Sequence, residues 1–200
     1  MSSSLVNRAK ARALKIQKSL DSPHDLILPN FLYLGSDPRK TIGKKTDAVE
    51  SYLQENSFTH RVDLTSNPIH STNIPTFYLT VTDQPESTKT LFQQLENACN
   101  FIDTARKTSK AKILVHCKAG ISRSATLVIY YLMTRAKMDL SLAKALRVVR
   151  DARPIVSPNE GFMRALCRIE TEVLNKPLSI DQEAYSMHRM DHSSNYLIMK

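Results

Sequence analysis

The sequence predicts a single α/β domain built on a central, largely parallel sheet. The chain has 200 residues, 42% hydrophobic and 24% charged, which is typical of one soluble globular domain. Short apolar, β-branched runs alternate along the chain with segments of helical period, and this alternation is typical of α/β folds. One stretch, residues 113–133, joins an apolar run to a second apolar run through a polar turn, which predicts a strand, a loop and a buried helix.

A helix is predicted over residues 5–20. The apolar positions that share one face of it are Leu5, Ala9, Ala13, Ile16 and Leu20. The basic residues on its flank are Arg8, Arg12, Lys15 and Lys18. We interpret it as a helix packed on the domain with a solvated basic side, or as a docking helix for an acidic partner. A membrane surface is disfavoured because the segment lacks Trp and Phe.

The middle of the chain alternates between strands and helices. The predicted elements are one or two strands over 26–34, a basic loop over 40–45, a helix over 47–54, strands over 59–65 and 76–82, and a helix over 88–107. The short first strands are candidates for antiparallel pairing. Leu91, Leu95, Cys99 and Ile102 form the buried face of the 88–107 helix, so Cys99 is interpreted as a core residue.

Two further helices follow the central stretch. The first spans 142–153, with Arg147, Arg150 and Arg153 on its polar side, and Pro154 ends it. Ser157 to Glu160 resembles a capping box that starts a last long helix, whose face is Phe162, Leu166, Ile169 and Val173. Residues 177–200 lack periodicity, and a metal site at His188 and His192 is not predicted. We therefore divide the chain into an extension (1–22), a domain (23–176) and a tail (177–200).

Composition limits the partners and the compartment. The formal charge of +9 favours anionic partners. Three cysteines are too few for a disulfide framework, and the start of the chain resembles neither a secretion signal nor a myristoylation site. We expect a reducing compartment, the cytosol or nucleus, with no stable membrane anchor, no nucleic-acid partner and no cofactor. Composition gives no prediction of the oligomeric state.

The chemistry concentrates in the central loop, residues 117–123. Backbone N–H groups of Lys118, Ala119, Gly120, Ile121, Ser122 and Arg123, curled between a strand and a helix N-terminus, suit a phosphate dianion. Gly120 allows a backbone conformation that other residues resist. Arg123 adds a planar fork able to bind two phosphoryl oxygens.

Cys117 begins this loop and is the candidate nucleophile. Donors that stabilise a phosphate also stabilise a thiolate, so we expect a low pKa and attack on phosphorus to give a phosphocysteine. Ser124 is predicted to donate its hydroxyl to the departing thiolate. His116 is predicted to fix the loop by hydrogen bonding to the backbone. Such an accessible thiolate is also open to reversible oxidation.

The reaction also needs a general acid for the leaving group. Asp83 is the best candidate because it follows a predicted strand and precedes a Gln-Pro turn. Asp63, inside a strand, and Asp103, inside a helix, are weaker candidates.

With these residues in place, His116-Cys-Lys-Ala-Gly-Ile-Ser-Arg-Ser124 resembles the signature of the dual-specificity protein phosphatases, within the cysteine-dependent phosphatase superfamily. Residues 29–36 and 157–162 resemble two further motifs of the family. The resemblance implies a five-stranded sheet flanked by helices and metal-independent hydrolysis of phosphotyrosine and phosphoserine or phosphothreonine. It also implies that Asp83 is the general acid and that Asn159 supports the loop by hydrogen bonding.

Two departures limit the resemblance. The chain has no room for the kinase-docking domain of the MAP-kinase phosphatases, so it resembles a small, atypical member. Lys118 adds a charge that lipid phosphatases also carry, but they usually have a second lysine where this chain has Ile121. Phosphoinositide hydrolysis, and a non-catalytic module that binds phosphopeptides, are the alternatives.

Overall fold

The sheet is five-stranded and mostly parallel, with the strand order β1-β2-β5-β3-β4. The computed structural model of the chain describes residues 3–42, 46–70, 73–135 and 140–188. The strands are β1 (His24–Leu28), β2 (Leu32–Ser36), β3 (His60–Asp63), β4 (Thr76–Tyr78) and β5 (Ile113–Cys117). Only β1 and β2 pair antiparallel, through a short hairpin, and the other neighbouring pairs are parallel. The predicted fold class is confirmed.

Helices cover both faces of this sheet. They are α1 (Ser3–Asp21), α2 (Arg39–Ile42), α3 (Thr46–Glu55), α4 (Thr88–Arg106), α5 (Arg123–Thr134), α6 (Leu142–Ala152), α7 (Glu160–Arg168) and α8 (Gln182–His188). A 3-10 turn, Pro85–Ser87, precedes α4, and a π-helical turn, Ile169–Val173, follows α7. Helices predicted at 47–54 and 88–107 are therefore observed within one residue of those bounds.

The central strand β5 explains why residues 113–115 form a continuous apolar run. Ile113 and Val115 pack into the larger core cluster, which includes residues of α4, α5, α6 and α7. Leu114 points to the opposite face, where it joins a smaller cluster that includes Val49 and Leu53 of α3. A strand buried on both faces needs apolar side chains at every position rather than at alternate ones.

Parallel pairing brings three strand ends to one edge of the sheet. In the register of β2 and β5, Ser36 lies opposite Cys117, and in the register of β3 and β5, Asp63 lies opposite His116. Loops that leave the carboxyl ends of parallel strands converge there, which is where α/β proteins build their sites. The central loop lies at this edge.

The C-terminal part departs from the sequence prediction in three ways. The last long helix begins two residues later than the proposed capping box implies, because Asn159 rather than Ser157 is the N-cap, with its side-chain oxygen accepting from the Phe162 N–H at 3.0 Å. The helix then widens into the π-helical turn, and Val173 is 61% exposed. The packed domain also extends past residue 176, since Tyr185 of α8 is buried and its hydroxyl donates to the Pro158 carbonyl at 2.7 Å.

The N-terminal helix is less buried than its apolar stripe predicts. Ala13 is exposed, and Leu20 is 58% exposed, although both belong to that stripe. The end of α1 is attached instead through polar groups, with Lys15 donating to the Asp151 carbonyl and Ser19 buried. The side chains of Leu5, Arg8, Ala9 and Arg12 lie outside the described part of the structure, as do residues 189–200 with His192.

Candidate active site

Gly120 gives the central loop its tight curvature. Its φ angle is +67°, in the left-handed region that favours glycine. A Cβ atom built there would lie 2.5 Å from the carbonyl oxygen of Gly35 on the neighbouring strand β2. Backbone conformation and space both require glycine at this position.

The carbonyl groups of the loop are engaged by partners around it. The acceptor and donor pairs are Lys118 with the Asp37 N–H, Ala119 and Gly120 with the Arg153 side chain, Ile121 with the Ser157 N–H, and Ser122 with the Thr126 N–H. None of the described peptide bonds is cis, and the C=O and N–H of a trans peptide point in opposite directions. The N–H groups of residues 119–123 therefore point away from these partners and form a row of donors suited to an anion.

Cys117, the last residue of β5, is buried and its thiol is free. Burial alone would raise its pKa, but the Arg123 guanidinium and hydrogen bonds from the Ser124 hydroxyl and from the Ser124 and Ala119 N–H groups outweigh burial and lower the pKa. The Ser124 hydroxyl donates to Sγ at 3.2 Å. Burial instead raises the pKa of Cys99 to about 12 and that of Cys167 to about 11. Among the three thiols, Cys117 alone is activated.

Arg123 begins α5 and is held rigidly. Its Nη1 donates to the carbonyl oxygens of Leu64, at 3.0 Å, and of Val81, at 2.9 Å. These carbonyls lie just beyond the ends of β3 and β4, so two strands fix the position of one guanidinium. Its Nε is buried and has no hydrogen-bond partner among the described residues. That donor is left for a ligand.

The Ser122 hydroxyl connects three segments. It donates to Oδ1 of Asp83 at 2.6 Å and accepts from the Asn159 N–H at 3.0 Å. The Asn159 amide donates to the same Asp83 oxygen at 3.0 Å. Asp83, exposed in the loop after β4, is thereby brought to the central loop, and Asn159 contacts both.

The other acid candidates are engaged elsewhere. Asp63 is buried at the end of β3, where its Oδ1 accepts from the Thr65 N–H at 2.9 Å. Asp103 accepts from the Tyr131 hydroxyl at 2.9 Å on α4. Of the three carboxylates considered from the sequence, Asp83 is the one that contacts the central loop.

His116 does not make the predicted hydrogen bond. Both ring nitrogens are buried, and neither has a hydrogen-bond partner in the described part of the chain. The nearest carboxylate, Asp63, is 3.8 Å from Nε2. Burial lowers the pKa of His116 despite that carboxylate, so the ring packs as a neutral group beneath the loop.

Lys118 and Arg153 carry the same charge but differ in solvent exposure. Lys118 is exposed, whereas Arg153, assigned to a polar helix face, is 1% exposed. Arg153 and Arg150 are buried because backbone carbonyls accept their hydrogen bonds, for example Val156 O from Arg150 Nε at 3.0 Å. The one sequence signal for Arg153 is Pro154, which ends α6 and removes Arg153 from helical periodicity.

The described residues contain no cluster of three potential metal ligands among His, Cys, Asp and Glu. A search of the same residues also finds no helix with the length and apolarity needed to cross a membrane.

A family sequence model and curated relatives of the chain point to the same family. The sequence model of the family described as "Dual specificity phosphatase, catalytic domain" matches residues 41–172. A probable dual specificity protein phosphatase of Dictyostelium discoideum is 34% identical over 76% of this chain and 51% of its own length. Human dual specificity protein phosphatase 16 is 36% identical over 75% of this chain and 21% of its own length.

Among solved structures, human DUSP28 is 30% identical with a TM-score of 0.62, and the match covers 76% of this chain and 96% of that one. The chain thus spans about half of one curated relative and about a fifth of the other, while it matches nearly all of the solved DUSP28 structure. The chain belongs to the dual specificity phosphatase family, within the cysteine-dependent phosphatases.

Proposed function

We propose that this chain is a protein phosphatase that hydrolyses phosphotyrosine and phosphoserine or phosphothreonine through a phosphocysteine intermediate. The observation that supports this proposal is that three chemical groups meet at one loop. A thiol with a lowered pKa, a buried arginine with an unpartnered donor and an exposed carboxylate all contact residues 117–124. No other described cysteine has such an environment.

In the first step, Sγ of Cys117 attacks phosphorus as the thiolate, and the bond from phosphorus to the leaving oxygen breaks. The Asp83 carboxyl gives its proton to that oxygen, so the product departs as a neutral alcohol or phenol. Arg123 and the row of N–H groups hold the remaining phosphoryl oxygens. Because Arg123 is fixed by two strand ends, little reorganisation is needed as charge develops.

In the second step, the Asp83 carboxylate takes a proton from a water molecule, and the water oxygen attacks phosphorus. The bond from phosphorus to Sγ breaks, which releases inorganic phosphate and regenerates the thiolate. The Ser124 hydroxyl, 3.2 Å from Sγ, donates a hydrogen bond to that thiolate.

Turnover of an aryl phosphate tests the proposal. We expect Cys117→Ser to lower kcat by at least about a thousandfold, because a serine hydroxyl is not ionised at neutral pH. Cys99→Ala, a change at a buried thiol in α4, is the matched control and should retain activity. If wild type and Cys117→Ser are equally inactive while a phosphopeptide still binds, the chain is a binding module. Turnover of a phosphoinositide, with none of a phosphopeptide, would favour the lipid alternative, for which exposed Lys118 is the one supporting residue.

The role of Asp83 is tested with leaving groups of different acidity. Asp83→Asn should lower kcat about a hundredfold or more for a poor leaving group, an alkyl phosphate, and much less for a nitrophenyl phosphate. Asp103→Asn is the control carboxylate. An equal loss on both substrates would assign the proton to another group.

The partners and the compartment complete the proposal. The substrates are phosphorylated proteins, and the basic, exposed helix α1 is an additional contact for an acidic partner surface. A catalytic thiolate requires reducing surroundings, so we place the protein in the cytosol, the nucleus or both.

A further inference from the structure

Arg153 contacts the central loop from behind. Its Nε donates to the Gly120 carbonyl at 3.0 Å, and its Nη2 donates to the Ala119 carbonyl at 3.1 Å. Fixing these two carbonyls fixes two peptide planes, because each plane is rigid and trans. The N–H groups of those planes belong to Gly120 and Ile121, and both are in the row of donors proposed to bind phosphate.

The other nitrogen of the same guanidinium contacts the N-terminal segment. Nη1 donates to the carbonyls of Ser19 and Ser22, each at 3.3 Å, and to Oδ2 of Asp25 at 2.6 Å. Ser19 belongs to α1 and Asp25 to β1. One planar group therefore joins the central loop to the junction between the first helix and the first strand.

Burial makes this arrangement sensitive to each partner. Arg153 is 1% exposed, and a buried guanidinium is tolerated only when its donors are paired. Asp25 is the carboxylate that forms its ion pair. A lysine at this position would present one compact ammonium group, which cannot replace a fork that reaches both sides.

On the side of Arg153, the loop is not fully packed. A cavity of about 180 Å³ adjoins it and is lined in part by Leu20, Pro23, Ala119, Ile121 and Arg153. Ser36, Lys40 and Thr41 also line the cavity, so the peptide groups of the loop have room to shift on this side if the hydrogen bonds are lost.

We propose that Arg153 is a positioning residue that orients the donors of the central loop and makes their orientation depend on the N-terminal segment, residues 19–25. This inference rests on the proposed function, since it concerns the same phosphate site. It gives the extension, which lies outside the matched family region 41–172, a direct physical connection to that site.

Calorimetric titration with inorganic phosphate tests the inference without requiring turnover. In the full chain, we expect Arg153→Lys to raise the Kd for phosphate about tenfold, and Asp25→Asn to raise it severalfold. Arg150→Lys is the control, because Arg150 is a buried arginine of α6, three residues before Arg153, and its Nε donates to the Val156 carbonyl rather than to the loop. Its Kd should equal that of wild type. Thermal unfolding identifies a temperature at which every variant is folded, so that the Kd values report on folded protein.

The double variant, Arg153→Lys with Asp25→Asn, shows whether the two residues act on the phosphate site together or independently. If Asp25 acts through Arg153, the combined change in Kd is smaller than the product of the two single changes. Steady-state kinetics should show the same order, with KM for an aryl phosphate raised in Arg153→Lys. An unchanged Kd in Arg153→Lys, or two effects that multiply, would overturn the inference. Phosphate binding without turnover in wild type would instead contradict the proposed function alone.

Discussion

The Ser124 hydroxyl contributes one of the hydrogen bonds that lower the pKa of Cys117. Replacing Ser124 by alanine removes the donor at 3.2 Å, so the pKa of the Cys117 thiol should rise. A higher pKa means that a higher pH is needed to form the thiolate. The acidic limb of the kcat/KM profile should therefore move to higher pH in Ser124→Ala.

This prediction is checked by measuring kcat/KM for an aryl phosphate from about pH 4.5 to 7.5. Ser186→Ala, at an exposed serine of α8, is the control and should retain the wild-type profile. An acidic limb that stays in place in Ser124→Ala would show that Ser124 does not stabilise the thiolate.

Much of the site can be predicted from residues that are close together in the sequence. Cys117, Arg123 and Ser124 are close in sequence and belong to one strand-loop-helix unit, so their spacing predicts their proximity. Asp83 was placed by its position after a strand. Arg153 and the Ser122 hydroxyl were not recognised, because their partners come from distant segments that one sequence does not bring together.

The N-cap residue of α7, Asn159, also contacts Asp83 in the loop after β4. Asn159 accepts from the Phe162 N–H with one side-chain atom and donates to Asp83 with the other. Asn159→Asp keeps the cap but exchanges the donor for a second carboxylate beside Asp83. We expect near wild-type stability with a clear loss of kcat on a poor leaving group.

Asn159→Ala loses both contacts, so it should also unfold more easily, by about 1 kcal/mol, and its comparison with Asn159→Asp separates the two roles. Thermal or urea unfolding and kcat measured together provide the comparison. Unchanged kcat in Asn159→Asp would show that the contact with Asp83 does not assist catalysis.

Helix α1 carries a concentration of charge with little burial. It contains five basic residues and one acidic residue, and the side chains of Lys10 and Lys18 are exposed. Lys10→Glu with Lys18→Glu should weaken binding of a polyglutamate probe severalfold at low salt, and added salt should remove the difference.

The matched control for α1 makes the same charge change at exposed lysines near the ends of α4, Lys89→Glu with Lys107→Glu. Turnover of an aryl phosphate should be unchanged in both double variants. Equal weakening by the two would assign the binding to net charge rather than to α1.

Periodicity predicted most elements but not how they are attached. The stripe of α1 predicts the helix correctly, but Ala13 and Leu20 of that stripe are exposed, because the end of the helix is attached through polar contacts. The start of α7 was misplaced because Ser157 is held extended by its N–H bond to the Ile121 carbonyl. Both errors come from polar contacts made across the fold.

At the scale of the whole molecule, the class of fold follows from alternation, whereas the order of the strands does not. The last strand in sequence, β5, lies at the centre between β2 and β3. Its burial on both faces is visible as a run of apolar residues, but its neighbours are selected by packing of α3 on one face and of α5 on the other.

Folding stability should depend on pH through one buried histidine, His116, and two half-buried ones, His24 and His60. Burial lowers the pKa of His24, His60 and His116 in the folded chain. As pH falls through about 6.5, the unfolded chain binds protons that the folded chain does not, so the free energy of unfolding should decrease. His116 alone contributes a slope of up to about 1.4 kcal/mol per pH unit.

Urea unfolding between about pH 5 and 7.5 measures this slope. His116→Asn should reduce this slope by the equivalent of up to about one bound proton. The absolute stability of the variant does not matter, because the slope reports the difference in bound protons between the unfolded and folded chains. An unchanged slope would mean that His116 binds its proton equally in the folded and the unfolded chain.

The separation of the three thiols by acidity has a practical consequence. At neutral pH, a thiolate-directed electrophile small enough to reach Cys117, which is 1% exposed, should react with it and spare Cys99 and Cys167, whose pKa values lie far above the solution pH. A fluorinated tag could therefore be attached at one point without engineering a cysteine-free background. Its resonance would report on the surroundings of the loop in solution, and a shift on addition of a partner for α1 would be visible without any substrate.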